Sequence, residues 1–181
     1  MILPDGGTSR YLNLATHERF GLQRYEDLLM RDIPNEVDRL FQIRPGKWAI
    51  GGLSMGGYGA LRLGMKHPDR FASIWAHSAG LRPLDAAFLA LLDDPDDANV
   101  HKWANRLADG ATGLWISFDC GVGDDLLPYN RELDVHLTRI GLAHHYAEHP
   151  GAHTWDYWDE HVREALAQHA EVLGIVGPAS G

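Results

Sequence analysis

The chain has 181 residues, 45% of them hydrophobic, which suits one globular domain with a full core rather than two. Its 25 acidic residues against 16 Lys and Arg give a formal charge of −9, which disfavours nucleic-acid and anionic-membrane partners, since both reward basic patches. No run approaches the roughly 20 apolar residues that span a bilayer, no signal peptide is visible, and the single Cys120 excludes an intrachain disulfide, so a cytoplasmic protein is expected.

Residues 1–3 form a short apolar run cut off by Pro4-Asp5-Gly6-Gly7, and read as the tail of a strand. Residues 21–41 carry Leu22, Tyr25, Leu29, Ile33, Val37 and Leu40 at near-helical spacing, with Pro34 expected to kink the helix or restart it. Residues 47–51 are a buried strand by composition, and a helix runs from Tyr58 to about His67, where Pro68 stops it. Residues 71–77 read as the next strand. Residues 78–109 are less regular, with a short helix over 85–92 and an acidic turn over 93–97 that opens another. That stretch fits either a cap over a pocket or a plain surface connection. A strand over 113–120, a helix over 128–140, a strand over 143–148 and a helix over 155–173 follow, and residues 174–181 read as a frayed tail. Strands alternating with helices predict an α/β fold, a mostly parallel sheet with helices on both faces.

The most informative stretch is Gly52-Leu53-Ser54-Met55-Gly56, a G-x-S-x-G pattern between the predicted strand and helix. Strand, sharp turn and helix is the setting of a nucleophile elbow. Gly52, Gly56 and Gly57 remove side chains that would clash where the strained turn meets its neighbours. A serine hydroxyl is a poor nucleophile near neutral pH and needs a base, which in turn needs an orienting acid. The order acid then histidine after the serine is that of an α/β hydrolase. His153 is the expected base, because it lies in a turn-rich loop just before a helix. His149 is its competitor, whereas His136, His161 and His169 fall inside predicted helices and His144 and His145 begin a strand. For the acid, Asp119, Asp124 and Asp125 compete. Asp119 falls within the strand, and Asp124 follows Gly121-Val122-Gly123, whose glycines let the loop turn back over the sheet edge. Met55, the residue after the serine, is expected to supply one oxyanion N–H. Trp75, His77, Trp155 and Trp158 fall near the same edge. Trp155 and His77 are the candidate substrate contacts, while core packing is the expectation for Trp75 and Trp158. His149 and His153 straddle a Pro-Gly turn and do not share a helical face, so no metal site is expected.

The stretch Ile50-Gly51-Gly52-Leu53-Ser54-Met55-Gly56-Gly57-Tyr58-Gly59-Ala60 resembles the elbow of the "putative esterase" family. That family includes esterase D (S-formylglutathione hydrolase), feruloyl esterases and mycobacterial mycolyltransferases. Leu3-Pro4-Asp5-Gly6-Gly7 with Tyr11, Pro68-Asp69-Arg70-Phe71, Asp119-Cys120-Gly121 with Asp124 and Asn130, and Gly151-Ala152-His153-Thr154-Trp155-Asp156-Tyr157-Trp158 resemble further segments of it, in order. The resemblance implies an α/β-hydrolase fold with Ser54 as nucleophile, Asp124 as acid, His153 as base, and neither metal nor organic cofactor. It also implies several strands before the Pro-Asp-Gly segment, including a loop that gives a second oxyanion donor. This chain does not display them, so a single hydrolase domain over 1–181, short at its N-terminus, is expected.

The function expected is a serine carboxylic-ester hydrolase acting through an acyl-enzyme on a small-molecule ester or thioester. Two alternatives stand beside it. One is an acyltransferase of the same fold, and the other is a catalytically impaired form that binds or forms a homo-oligomer through an exposed sheet edge.

Overall fold

The computed structural model describes residues 1–17, 21–43, 45–110 and 113–175. They fall into two units, Met1–Gly46 with Pro83–Ala98 and Lys47–Arg82 with Asn99–Gly181.

In the first unit, β1 (Asn13–His17) pairs antiparallel with β2 (Gly21–Arg24), matching Asn13 to Arg24 and Leu14 to Gln23. Residues 21–24 were expected in a helix. Their apolar spacing fits either state, and cross-strand pairing, with Gly21 at φ 66°, selects the strand. The helix starts later because Asn13 caps it there. Asn13 Oδ1 accepts from the amides of Glu26 (3.1 Å) and Asp27 (3.2 Å), and its Nδ2 donates to Asp27 Oδ1 at 2.8 Å. Helix α1 (Tyr25–Asp27) passes through a π-helical turn, Leu28–Asp32, into α2 (Ile33–Leu40). Pro34 sits in the first turn of α2, where a missing N–H costs least. Residues 1–3 are not in a strand, contrary to expectation. The strand of this region is β1, signalled by the alternation of buried Leu12 and Leu14. Within the same unit α4 (Ala86–Leu89) is capped by Asp85, whose carboxylate accepts from the Phe88 amide at 2.7 Å, and a 3-10 turn spans Pro95–Ala98.

The second unit alternates as predicted: β3 (Trp48–Leu53), α3 (Met55–Lys66), β4 (Phe71–His77), α5 (Val100–Ala108), β5 (Trp115–Gly121), α6 (Leu127–Arg139), β6 (His145–His149) and α7 (Trp155–Val172). The sheet order is β3-β4-β5-β6, every pair parallel, with Leu53 beside His77, His77 beside Asp119, and Gly121 beside His149. The period of two sorts the side chains between layers. Ile50 and Ile74 face α3, where Gly64 lets the helix approach so closely that a Cβ there would collide with Ile74. Gly51, Ser73 and Ser117 face α7: His169 lies over Gly51, and Gln168 bonds to Ser73 and Ser117. Helices therefore cover both faces. Leu61, Leu63, Ile74, Leu133 and Leu137 are fully buried, and each such side chain contributes roughly 1.5–3 kcal/mol relative to exposure. Of the expected tail, residues 176–181 lie outside the described residues.

The α7 face holds a pH-sensitive contact. His169 Nδ1 lies 2.8 Å from Ser73 Oγ, and burial, followed by the nearby His77, lowers its pKa from 6.5 to about 4. His169 is therefore neutral in the folded chain at pH values where it is already protonated in the unfolded chain. Its contribution to stability is complete above pH 6.5, declines as pH falls toward 4, and is constant below. The melting temperature should fall through that window, and the fall should be shallower in His169→Gln. Parallel melting curves for the two proteins would disprove the linkage.

Candidate active site

The elbow is built where β3 stops. Ser54 carries φ 53° and ψ −116°, a conformation that residues with a Cβ rarely adopt. It is held from several directions. Its amide donates to the His77 carbonyl at 2.9 Å, and its own carbonyl accepts from Tyr58 (3.0 Å) and Gly80 (2.8 Å). Gly52 permits the turn, since a Cβ there would stand 2.6 Å from the Gly56 backbone. The strand runs two residues further than expected and the helix starts three earlier, so the elbow is a single-residue hinge. Met55 opens α3, and its N–H is among the amides that lack an intrahelical acceptor at a helix start.

The second component comes from the end of β5. Asp124 follows Val122 and Gly123, whose amides donate to the carbonyls of His149 (2.9 Å) and Gly151 (2.7 Å). Asp124 Oδ1 accepts from the Leu126 amide at 2.8 Å, which aims Oδ2 at His153 Nδ1, also 2.8 Å away. The third comes after β6. His153 Nε2 lies 2.9 Å from Ser54 Oγ. With the proton on Nδ1, the ring donates to Asp124 and accepts from the serine hydroxyl. The Asp124 side chain is fully buried while the His153 side chain is 36% exposed, so the carboxylate is enclosed and the imidazole reaches the surface.

The other candidates are placed elsewhere. Asp125 is 93% exposed and lies 3.9 Å from Arg82. Asp119 is buried on the α7 face of β5, where Trp75 Nε1 (2.6 Å) and Tyr157 Oη (2.7 Å) donate to its carboxylate and His77 Nδ1 approaches to 2.7 Å. Burial pushes the Asp119 carboxyl up, but His77, Trp75 and Tyr157 together outweigh it, so its pKa is lowered. His77 is thus enclosed, 4% exposed, with its ring against Asp119. Trp75 and Trp158 are buried, and Trp155 is 73% exposed with its ring edge-on to Trp158 at 5.3 Å. Trp158 in turn meets His153 edge-on at 4.8 Å. Trp158 was not singled out as a neighbour of His153, nor Tyr157 as a donor to Asp119. Adjacent aromatics in the first turns of the predicted C-terminal helix were the available signal.

His149 stacks on His161 at 4.1 Å and 18°, and Glu164 brings a carboxylate oxygen 3.0 Å from His161 Nδ1. One ligand atom from each of these three residues falls within 4.8 Å of the others, yet lone pairs of near-parallel rings do not converge on one ion. Cys120 is buried, and burial pushes its thiol pKa to about 12, so it is not a nucleophile at neutral pH.

A parallel sheet with a strand-elbow-helix serine at one strand end, and with an Asp and a His on the loops after two later strands, defines the α/β-hydrolase class. Within that class the chain belongs to the "Putative esterase" family, whose model matches residues 1–169. An acetyl esterase of Caldicellulosiruptor saccharolyticus is 28% identical over 92% of this chain and 70% of its own. An S-formylglutathione hydrolase of Arabidopsis thaliana is 32% identical over 93% of this chain and 63% of its own. Among solved structures, the substrate-bound fluorophosphonate-binding serine hydrolase F of Staphylococcus aureus superposes with a TM-score of 0.76 at 24% identity, covering 92% of this chain and 69% of that one. The chain thus spans about two thirds of the length of such relatives. Among the described residues no helix is long and apolar enough to cross a membrane.

Proposed function

We propose that this chain is a serine carboxylic-ester hydrolase whose residues 1–181 act as one hydrolase domain. The observation that carries the reading is the continuous hydrogen-bonded row from Ser54 Oγ through His153 to Asp124, at 2.9 and 2.8 Å. In this mechanism Ser54 Oγ attacks the ester carbonyl while His153 Nε2 takes its proton. The tetrahedral oxyanion accepts from the Met55 N–H. His153 then returns the proton to the departing alcohol or thiol, which leaves an acyl group on Ser54. Water, deprotonated by the same ring, attacks the acyl carbon; the acyl–Oγ bond breaks, the acid departs and the ring returns the proton to Ser54 Oγ. Asp124 keeps the imidazole in the required tautomer and stabilises its charged form. Exposed Trp155, edge-on to the Trp158 that meets His153, is the contact for substrate, whereas His77 holds the Ser54 amide through its carbonyl. A single cysteine, which has no intrachain partner for a disulfide, accords with a cytoplasmic setting.

The relatives' names suggest acetyl esters and glutathione thioesters as the first substrates to try. The test is to incubate the purified chain with a fluorophosphonate and with short acyl esters and thioesters. Stoichiometric labelling of Ser54 together with turnover supports the reading. A folded chain that neither labels nor turns over any of them refutes it.

A further inference from the structure

Among the described residues of the second unit two carboxylates are buried, Asp124 and Asp119, and the hydrolase reading employs only the first. Burying a carboxylate is costly unless donors meet its oxygens. For Asp119, Tyr157 Oη donates to Oδ1 at 2.7 Å, Trp75 Nε1 donates to Oδ2 at 2.6 Å, and His77 Nδ1 stands 2.7 Å from Oδ2. What such directional contacts add over apolar packing is a fixed geometry. They lead to both halves of the candidate site. On one side is the elbow. His77 ends β4, lies beside Asp119 in the sheet, and its carbonyl accepts from the Ser54 amide at 2.9 Å. The Asp119 carbonyl accepts from the Ser78 amide at 2.7 Å, so Asp119 grips the end of β4 by backbone and side chain together. Ser54, at φ 53°, depends on such outside support. On the other side is the His153 loop. Tyr157 lies in the first turn of α7, and its ring is pressed on Gly151, where a Cβ would stand 2.6 Å from Tyr157 Cδ2. Its neighbour Trp158 meets the His153 ring edge-on at 4.8 Å. One carboxylate thus contacts a residue that holds Ser54 and a residue that packs against the loop of His153.

We propose that Asp119 is a positioning residue, whose carboxylate sets the spacing between Ser54 Oγ and His153 Nε2 through His77 and Tyr157. Its consequence for catalysis rests on the hydrolase reading, while the spacing itself is measurable without turnover. A displacement on the order of 1 Å between reacting groups costs about 10²-fold in rate, so a tie of this kind acts on kcat. It touches no substrate, so KM is spared.

Steady-state kinetics on one ester, per molecule of folded chain, test this. Asp119→Asn presents an NH₂ where an acceptor oxygen stood, and should lower kcat by about 10–100-fold with KM within about twofold of the parent. Tyr157→Phe is milder, since it keeps the ring on Gly151 and loses only the hydroxyl, and should lower kcat by about 3–10-fold. The two losses should be less than multiplicative in the double variant, because both break one contact. Gln168→Ala is the structural control. Gln168 also ties α7 to β4 and β5, through Ser73, the Ile74 carbonyl and Ser117, but roughly 16 Å further along the helix than Tyr157. It should lower the melting temperature and leave kcat within about twofold of the parent. Side-chain NMR of the imidazoles supplies the readout that needs no turnover. Ser54→Ala removes the hydroxyl beside His153 Nε2 and so shifts the His153 resonances. Asp119→Asn should move them toward the Ser54→Ala positions, even in a chain that hydrolyses nothing. Failure to label or turn over any ester therefore refutes the hydrolase reading, and the His153 resonances still decide the role of Asp119. Should Asp119→Asn not fold, Tyr157→Phe decides by the same two readouts. The positioning role is overturned if the folded variants keep the parent kcat, if Gln168→Ala loses as much as they do, or if their His153 resonances stay at the parent positions.

Discussion

Ser54→Ala is expected to lower kcat for ester hydrolysis by about 10⁶-fold, to the level sustained by binding and the oxyanion donor alone, and to abolish fluorophosphonate labelling. The size of the loss follows from the lack of an evident substitute among the described residues of this unit. Ser78 is buried and close to Trp158 Nε1, and the Cys120 thiol is buried with a pKa pushed to about 12. The fold should survive. Alanine has a Cβ as serine does, so it meets the same strain at φ 53°, and the only side-chain bond lost is the one to His153. A melting temperature close to that of the parent, together with lost turnover, would separate chemistry from stability. Turnover in Ser54→Ala within tenfold of the parent would instead place the activity at another group, and the hydrolase reading would fall.

Asp124→Asn should cost nearly as much, about 10⁴-fold in kcat with little change in KM. The substitution keeps size and shape, and the loop geometry decides which way the amide points. The Leu126 amide donates to Oδ1 at 2.8 Å, so the asparagine oxygen takes that place and its NH₂ is turned toward His153 Nδ1. A donor facing Nδ1 selects the tautomer with the proton on Nε2. The ring then cannot accept the serine proton. The comparison is Asp125→Asn, one residue on and 93% exposed, which should retain activity to within about twofold. Steady-state kinetics of both variants on one ester distinguish the two carboxylates. If Asp125→Asn were the damaging change, Asp124 would not be the acid.

Much of the second unit was readable because each strand-helix boundary carries a strong local signal. Pro68 ends α3, Pro128 starts α6 within a residue, and the glycines around Ser54 mark the elbow. The first unit was harder to read. Leu22 and Tyr25 satisfy helical spacing, and it is pairing with Asn13, Leu14 and His17 that makes residues 21–24 a strand. Asn13 is also the helix cap, a role set by a side chain 13 and 14 positions before the amides it satisfies, outside any local window. At the site, periodicity put Asp119 inside a strand but gave no indication that Trp75, His77 and Tyr157 would gather on its carboxylate. The choice between Asp124 and Asp125 is likewise tertiary, since one of two adjacent carboxylates is turned inward by the Leu126 amide.

The loops bearing Asp124 and His153 touch backbone to backbone. A Cβ on Gly121 would stand 2.6 Å from the Gly151 carbonyl oxygen, Gly123 donates to that same oxygen at 2.7 Å, and Gly151 itself takes φ 137° with the Tyr157 ring pressed against it. Asp124 and His153 are therefore carried on one interlocked part, and Ser54 on another. Anyone reshaping the substrate range by grafting loops from a relative must transplant the segments from Gly121 to Leu126 and from His149 to Trp158 as a matched set. A chimera that takes only one of them inherits a carboxylate and an imidazole whose spacing was set by a different neighbour.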